Sequence, residues 1–138
     1  MLEFLFDTTR AVVDLVLGGT ISRHPDLRLI VPHAGATLPA VADRVALFAL
    51  ALGTSPSVDV LRDLARLEFD LAGTPLPRQL RALLDLTTIE HLHYGSDFPF
   101  TPDFVVGLAA ERLDEVDGLV AALRANTERL FPRLAATT

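Results

Sequence analysis

A histidine and an aspartate end two apolar runs of this chain, and both side-chain types can move protons. His33 closes "LRLIVPHAG", and Asp97 lies in "HYGSDFPF", between a Gly-Ser pair and a Phe-Pro pair. An imidazole titrates near neutrality, at about pH 6.5, and so can give or take a proton in water. A carboxylate can accept a proton or hold a cation. There is no cysteine, which excludes a thiolate nucleophile, a thiolate metal site and a disulfide framework. Any bound metal would depend on His, Asp or Glu. The residues alone leave plainer readings open: Asp97 as a helix or turn cap, and His33 as a hydrogen-bonded structural residue.

The elements that would position these residues follow from hydrophobic pattern and breakers. "DTTRAVVDLVLGG" predicts a helix capped at Asp7 or Thr8, with Ala11, Val12, Leu15 and Val16 on one face and a stop at Gly18 and Gly19. Leu27 to Pro32 predicts a buried strand breaking at His33, Ala34 and Gly35. "TLPAVADRVALFALAL" predicts a helix with Pro39 in its first turn, and "SPSVDVLRDLARLE" another entered at Ser57. Downstream, Leu67 to Leu71 predicts a short strand, "PLPRQLRALLDLT" a helix, and "EHLHYGSD" a third strand closing on Asp97. Helices are expected from Asp103 to Arg112 and from Glu115 to Leu130. Strands alternating with helices indicate βα units and a parallel sheet. His33, Asp70 and Asp97 then all fall at or near strand C-termini, the rim where parallel α/β folds bind ligands.

Composition narrows the partners. The chain has 138 residues, half of them apolar, and a net charge of −6, which suits a single domain with a real core. Scattered basic residues in an acidic chain argue against a nucleic-acid or anionic-membrane partner. The expected partner is a small molecule or a protein. The first residues lack signal-peptide features, and no apolar stretch reaches the roughly 18 residues of a membrane span. A soluble, cytoplasmic protein is the expectation.

Taken in order, "DTTRAVVDLVLGGTISRHPDLRLIVPHAGATLPAVADR", "FDLAGTP" and "YGSDFPFTPD" resemble the C-terminal half of the amidohydrolase-related metal-dependent hydrolases and decarboxylases. The branch resembled includes aminocarboxymuconate-semialdehyde decarboxylase. The resemblance runs over nearly the whole chain and implies strands six to eight of a (β/α)8 barrel. It implies that Asp97 is a ligand of a divalent metal, expected to be zinc, and that His33 stands beside the metal as a proton donor or polarising group. It implies further that Arg44 binds a substrate carboxylate, sometimes in the neighbouring subunit; a surface charge beside Asp43 is the plain alternative.

The family's first-strand His-x-His pair and fifth-strand histidine have no counterpart here, and Ala36 stands where relatives often have a second glycine. His91 and His93 share one strand face, but His93 would sit roughly 13 Å from Asp97 on a straight strand. His93 is therefore expected to pack within the sheet, His91 to lie near its exposed bottom, and His24 to be structural. A whole barrel needs about 250 residues. The expectation is accordingly one partial domain over residues 1–138, incomplete as a single chain, with one sheet face uncovered and two edges inviting a homo-oligomer or a missing N-terminal half. Two functions fit. One is metal-dependent hydrolysis or non-oxidative decarboxylation of a small carboxylated substrate; the other is a non-catalytic module that associates through its exposed sheet.

Overall fold

The computed structural model describes residues 2–53, 58–73 and 75–135. Helix α1 (Glu3–Leu17) begins four residues before Asp7. Glu3, Phe4, Leu5 and Phe6 contain no breaker, so the helix extends through them. Asp7 pairs instead with Arg10 on the exposed side at 2.5 Å. The buried face is Thr9, Val12 and Val16, whereas Ala11 is exposed. The helix ends where expected, and Gly19 takes a positive φ of 70° as the chain turns into the single turn α2 (Thr20–Arg23).

Three short parallel strands follow, β1 (Ile30–Val31), β2 (Glu68–Asp70) and β3 (Leu92–His93), in the order β1-β2-β3. The strand expected over Leu27 to Pro32 is shortened because Leu27 and Arg28 lie exposed beyond the sheet. The register aligns Val31 with Phe69 and Phe69 with Leu92, and sets Asp70 beside His93. Side chains alternate between the two faces of a strand. Val31, Phe69 and Leu92 therefore share one face and are almost wholly buried against helices, with Val16, Leu64 and Leu83 in the same core. Glu68, Asp70 and His93 share the other face.

The strands are joined by helices. A turn α3 (Pro32–Gly35) leaves β1, and α4 (Leu38–Ala51) carries Pro39 in its first turn as expected. Helix α5 (Val60–Ala65) is capped by the Asp59 side chain, which accepts from the Arg62 N–H at 3.1 Å; the expected entry at Ser57 lies outside the described residues. Helix α6 (Arg78–Leu86) precedes β3. Helix α7 (Asp103–Asp114) runs two residues past the expected end, and α8 (Leu119–Leu130) starts at a left-handed Gly118, later than the expected Glu115.

The last helix modifies the expectation of open surfaces. The His93 carbonyl accepts the N–H of Leu71, just past β2, so the carbonyl of Leu92, one residue earlier, faces the outer edge. There Asn126 of α8 donates to it at 2.9 Å and to the Ile89 carbonyl at 2.7 Å. Thr127, on the same helix, bonds His93 Nδ1 at 3.1 Å. Part of the β3 edge and of the face expected to lie uncovered is thus closed by the chain itself.

Candidate functional site

The ends of the strands meet at Asp70, the last residue of β2. Its Oδ1 accepts the backbone N–H of His33 at 2.9 Å and that of Ala72 at 3.0 Å. Its other side abuts Gly95, where an added Cβ would fall 2.9 Å from Asp70 Cγ. One carboxylate therefore bonds the loop after β1 and packs closely against the loop after β3. Glycine is needed at 95 because the close approach leaves no room for a side chain.

The His33 loop is unusual in its backbone. His33, Ala34, Gly35 and Ala36 have φ of 57°, 52°, 81° and 55°, a region disfavoured for residues with a Cβ. Beside the Asp70 contact, Gln79 of α6 donates to the carbonyls of His33 at 2.7 Å and Ala36 at 2.8 Å. Side chains from two other elements thus hold the backbone on both sides of the turn. Ala36, with φ 55°, occupies a conformation better suited to glycine. The His33 ring lies edge-on to Phe4 of α1, with centroids 5.0 Å apart, and its Nδ1 approaches Gly73. No hydrogen bond to the ring nitrogens is present among the described residues.

Asp97 lies four residues beyond the end of β3 rather than closing it, and has a φ of 60°. Its carbonyl accepts the N–H groups of Phe100 and Thr101, both at 2.9 Å, which closes a turn. The Thr101 hydroxyl donates to Oδ2 at 2.8 Å, and Oδ1 has no hydrogen bond among the described residues. Asp97 does not cap α7, whose N-cap position is Pro102.

Arg44 stands apart from this rim. It stacks on Phe48 at 4.8 Å and lines a cleft with Val13 and Leu17 at the far end of α1. Phe4, which touches His33, is nine to thirteen residues away along that helix, or about 14–20 Å at 1.5 Å per residue. Arg44 and His33 share no contact among the described residues.

Below the rim lies a second polar cluster. Glu68 and His93 are buried, with Glu68 Oε2 3.0 Å from His93 Nε2 and 3.4 Å from His91 Nδ1. His93 packs within the sheet as expected. His91 is in a 3-10 turn (Ile89–His91) rather than on the strand, with its side chain 30% exposed. His24 is exposed, and its carbonyl accepts from Arg66. Two groups off the rim have displaced titration. The Thr88 hydroxyl bonds the Glu90 carboxyl and lowers its pKa, and Glu128 raises that of Arg124.

Neither Asp70 nor Glu68 was singled out as a site residue from sequence. The available signal was "LEFDL", two carboxylates with strand spacing inside an apolar run. Among the described residues, no group of three or more His, Asp or Glu side chains is arranged to hold a metal ion. A metal site at Asp97 is therefore not complete within them.

Parallel βα units with polar side chains collected at the strand ends define an α/β protein of the enzyme-bearing kind. The chain belongs to the amidohydrolase family, whose model matches residues 4–133. A 6-methylsalicylic acid decarboxylase of Penicillium expansum is 33% identical over 97% of this chain and 44% of its own length. A solved amidohydrolase II superposes with a TM-score of 0.81 at 36% identity, over 92% of this chain and 42% of that one. The dihydroxybenzoic acid decarboxylase of Polaromonas sp. JS666, solved with manganese and 2-nitroresorcinol, gives 0.77 at 18% identity, over 96% and 42%; at that identity the likeness is one of fold. The chain spans less than half the length of these proteins, and its fold is part of the amidohydrolase barrel. No helix among the described residues is long and apolar enough to cross a membrane.

Proposed function

We propose that this chain is the closing part, strands six to eight, of a metal-dependent barrel enzyme that removes carbon dioxide from a small carboxylated substrate. The observation carrying the reading is the Asp70 carboxylate at the strand ends, which accepts the His33 N–H and against which the loop leading to Asp97 packs closely at Gly95. The name of the Penicillium relative favours decarboxylation of an aromatic acid over hydrolysis. Decarboxylation breaks the bond from the substrate carbon to its carboxyl group, and the electron pair left behind takes up a proton. His33, with ring nitrogens free of protein hydrogen bonds, is the group to deliver it.

Asp97, oriented by Thr101, would supply one oxygen ligand to a divalent ion, zinc being the metal expected from sequence. When bound, such an ion polarises the substrate's oxygens. A catalytic zinc takes about three protein ligands, so the others must come from outside the described set. In the same reading Arg44, which lines a cleft with Val13 and Leu17 apart from its own rim, serves the site of a neighbouring copy, and the working form is a homo-oligomer.

Manganese titration followed by NMR tests the site. Paramagnetic broadening is expected around residues 95–101 and His33, and is expected to vanish in Asp97→Ala. Broadening elsewhere only, or broadening unchanged in that variant, overturns the metal role. Carbon dioxide release from salicylate-type acids, lost in His33→Ala with metal broadening retained, tests the reaction. Failure of both assays, also when a barrel half carrying the remaining ligands is supplied, favours the non-catalytic interaction module.

A further inference from the structure

In an acidic chain of net charge −6, most arginines are engaged. Arg10 and Arg124 pair with carboxylates, and Arg23, Arg66 and Arg129 donate to backbone carbonyls. Arg81 on α6 and Arg112 on α7 have no ion pair or hydrogen bond among the described residues, although Asp85 and Glu115 follow them by one turn. Both line the same cleft, of about 620 Å³, with Leu76, Leu80, Leu84 and Val116. Pro77 and the Glu115 carboxylate complete the lining. Glu115 forms no ion pair with either arginine among the described residues, and two cations against one carboxylate leave the cleft with a net positive charge.

Such a volume suits a small ligand, and an apolar wall with few polar groups is the usual lining of a small-molecule pocket. Two guanidinium groups select an anion, and their forked donors match the two oxygens of a carboxylate. We propose that the cleft between α6 and α7 binds a free, medium-sized monocarboxylic acid. Its apolar body lies on Leu76, Leu80, Leu84 and Val116, and its carboxylate lies between Arg81 and Arg112. The site is separate from the His33 and Asp97 rim. Gln79, which holds the rim loop, sits at a different angle around α6 from Leu80 and Leu84. The proposal stands whether or not the rim is catalytic.

The test is titration with octanoate and, separately, with 1-octanol, followed by backbone amide shifts at a fixed low salt concentration. Saturable shifts at residues 76–84 and 112–116 are expected with octanoate. Octanol, with the same chain and no charge, is expected to bind at least about tenfold more weakly, the loss of one charge-assisted contact. The Arg81→Gln, Arg112→Gln double variant is expected to lose about tenfold or more for octanoate and little for octanol. Arg133→Gln, an exposed arginine outside the cleft, controls for net charge and is expected to change neither. Added salt should weaken octanoate alone. Equal binding of both probes, unchanged octanoate affinity in the double variant, or shifts confined to other surfaces would each overturn the site.

Discussion

Replacing Asp70 by alanine removes the acceptor shared by the His33 and Ala72 N–H groups, at 2.9 and 3.0 Å. A hydrogen bond to a charged acceptor contributes about 1.5–3 kcal/mol. Asp70 is only partly buried, so the lower figure applies, and two bonds give about 3 kcal/mol. Opposing this is the left-handed backbone of His33, Ala34 and Ala36, at about 1–2 kcal/mol per residue, or about 3–6 in all. The Asp70 and Gln79 contacts together are of the same size, and without the former the loop relaxes and recovers some of its strain. The expected net loss for Asp70→Ala is about 2–3 kcal/mol. Asp70→Asn keeps a neutral acceptor oxygen and should lose about 1 kcal/mol. Urea unfolding gives the stabilities, and amide exchange at His33 and Ala72 gives the local effect, which should rise in the alanine variant. A loss below about 0.5 kcal/mol, smaller than a single typical hydrogen bond, or unchanged exchange at His33, would show that Asp70 does not hold the loop.

Three further outcomes follow from the same geometry. Asn126→Ala strips the donor from the Ile89 and Leu92 carbonyls; it should cost about 2 kcal/mol in thermal unfolding and, by baring the β3 edge, increase self-association in light scattering. Glu68→Ala leaves the buried His93 Nε2 without its hydrogen-bond partner, and urea unfolding should register a loss of about 2 kcal/mol. Thr88→Ala removes the hydroxyl that lowers the Glu90 pKa, and carboxyl NMR should show its titration midpoint move up toward the ordinary value. A lowered folded pKa contributes stability above the unfolded pKa that is lost as pH falls through the folded one. The variant should therefore lose a small contribution at neutral pH and fall off less steeply in acid.

The element order, the parallel sheet and the position of His33 just beyond a strand were legible because each depends on local signals, whereas the third strand stops four residues short of Asp97, which was expected to close it. Alternation of apolar runs, the Gly18-Gly19 stop and the first-turn Pro39 act within a few residues of themselves. The ends of elements were less legible. Asp7 has the chemistry of a cap, yet nothing in Glu3 to Phe6 stops a helix, and a mid-helix partner, Arg10, was as available to it. The contacts that build the rim could not be read this way. His33 meets Asp70 across 37 positions, and His93 meets Glu68 across 25; which carboxylate faces which loop depends on strand register. Arg44 likewise was assigned a role by motif, while its surroundings, Phe48 and the cleft with Val13 and Leu17, are set by how α4 packs on α1. Sequence by itself determined the repeated βα pattern and which residue types end the strands, since helix and strand periods are local. Only the tertiary structure decided that Asp70 holds the rim, that α8 closes part of the β3 edge, and that Arg81 and Arg112 face one cleft. Those outcomes depend on how elements far apart in the chain pack, which no local period encodes.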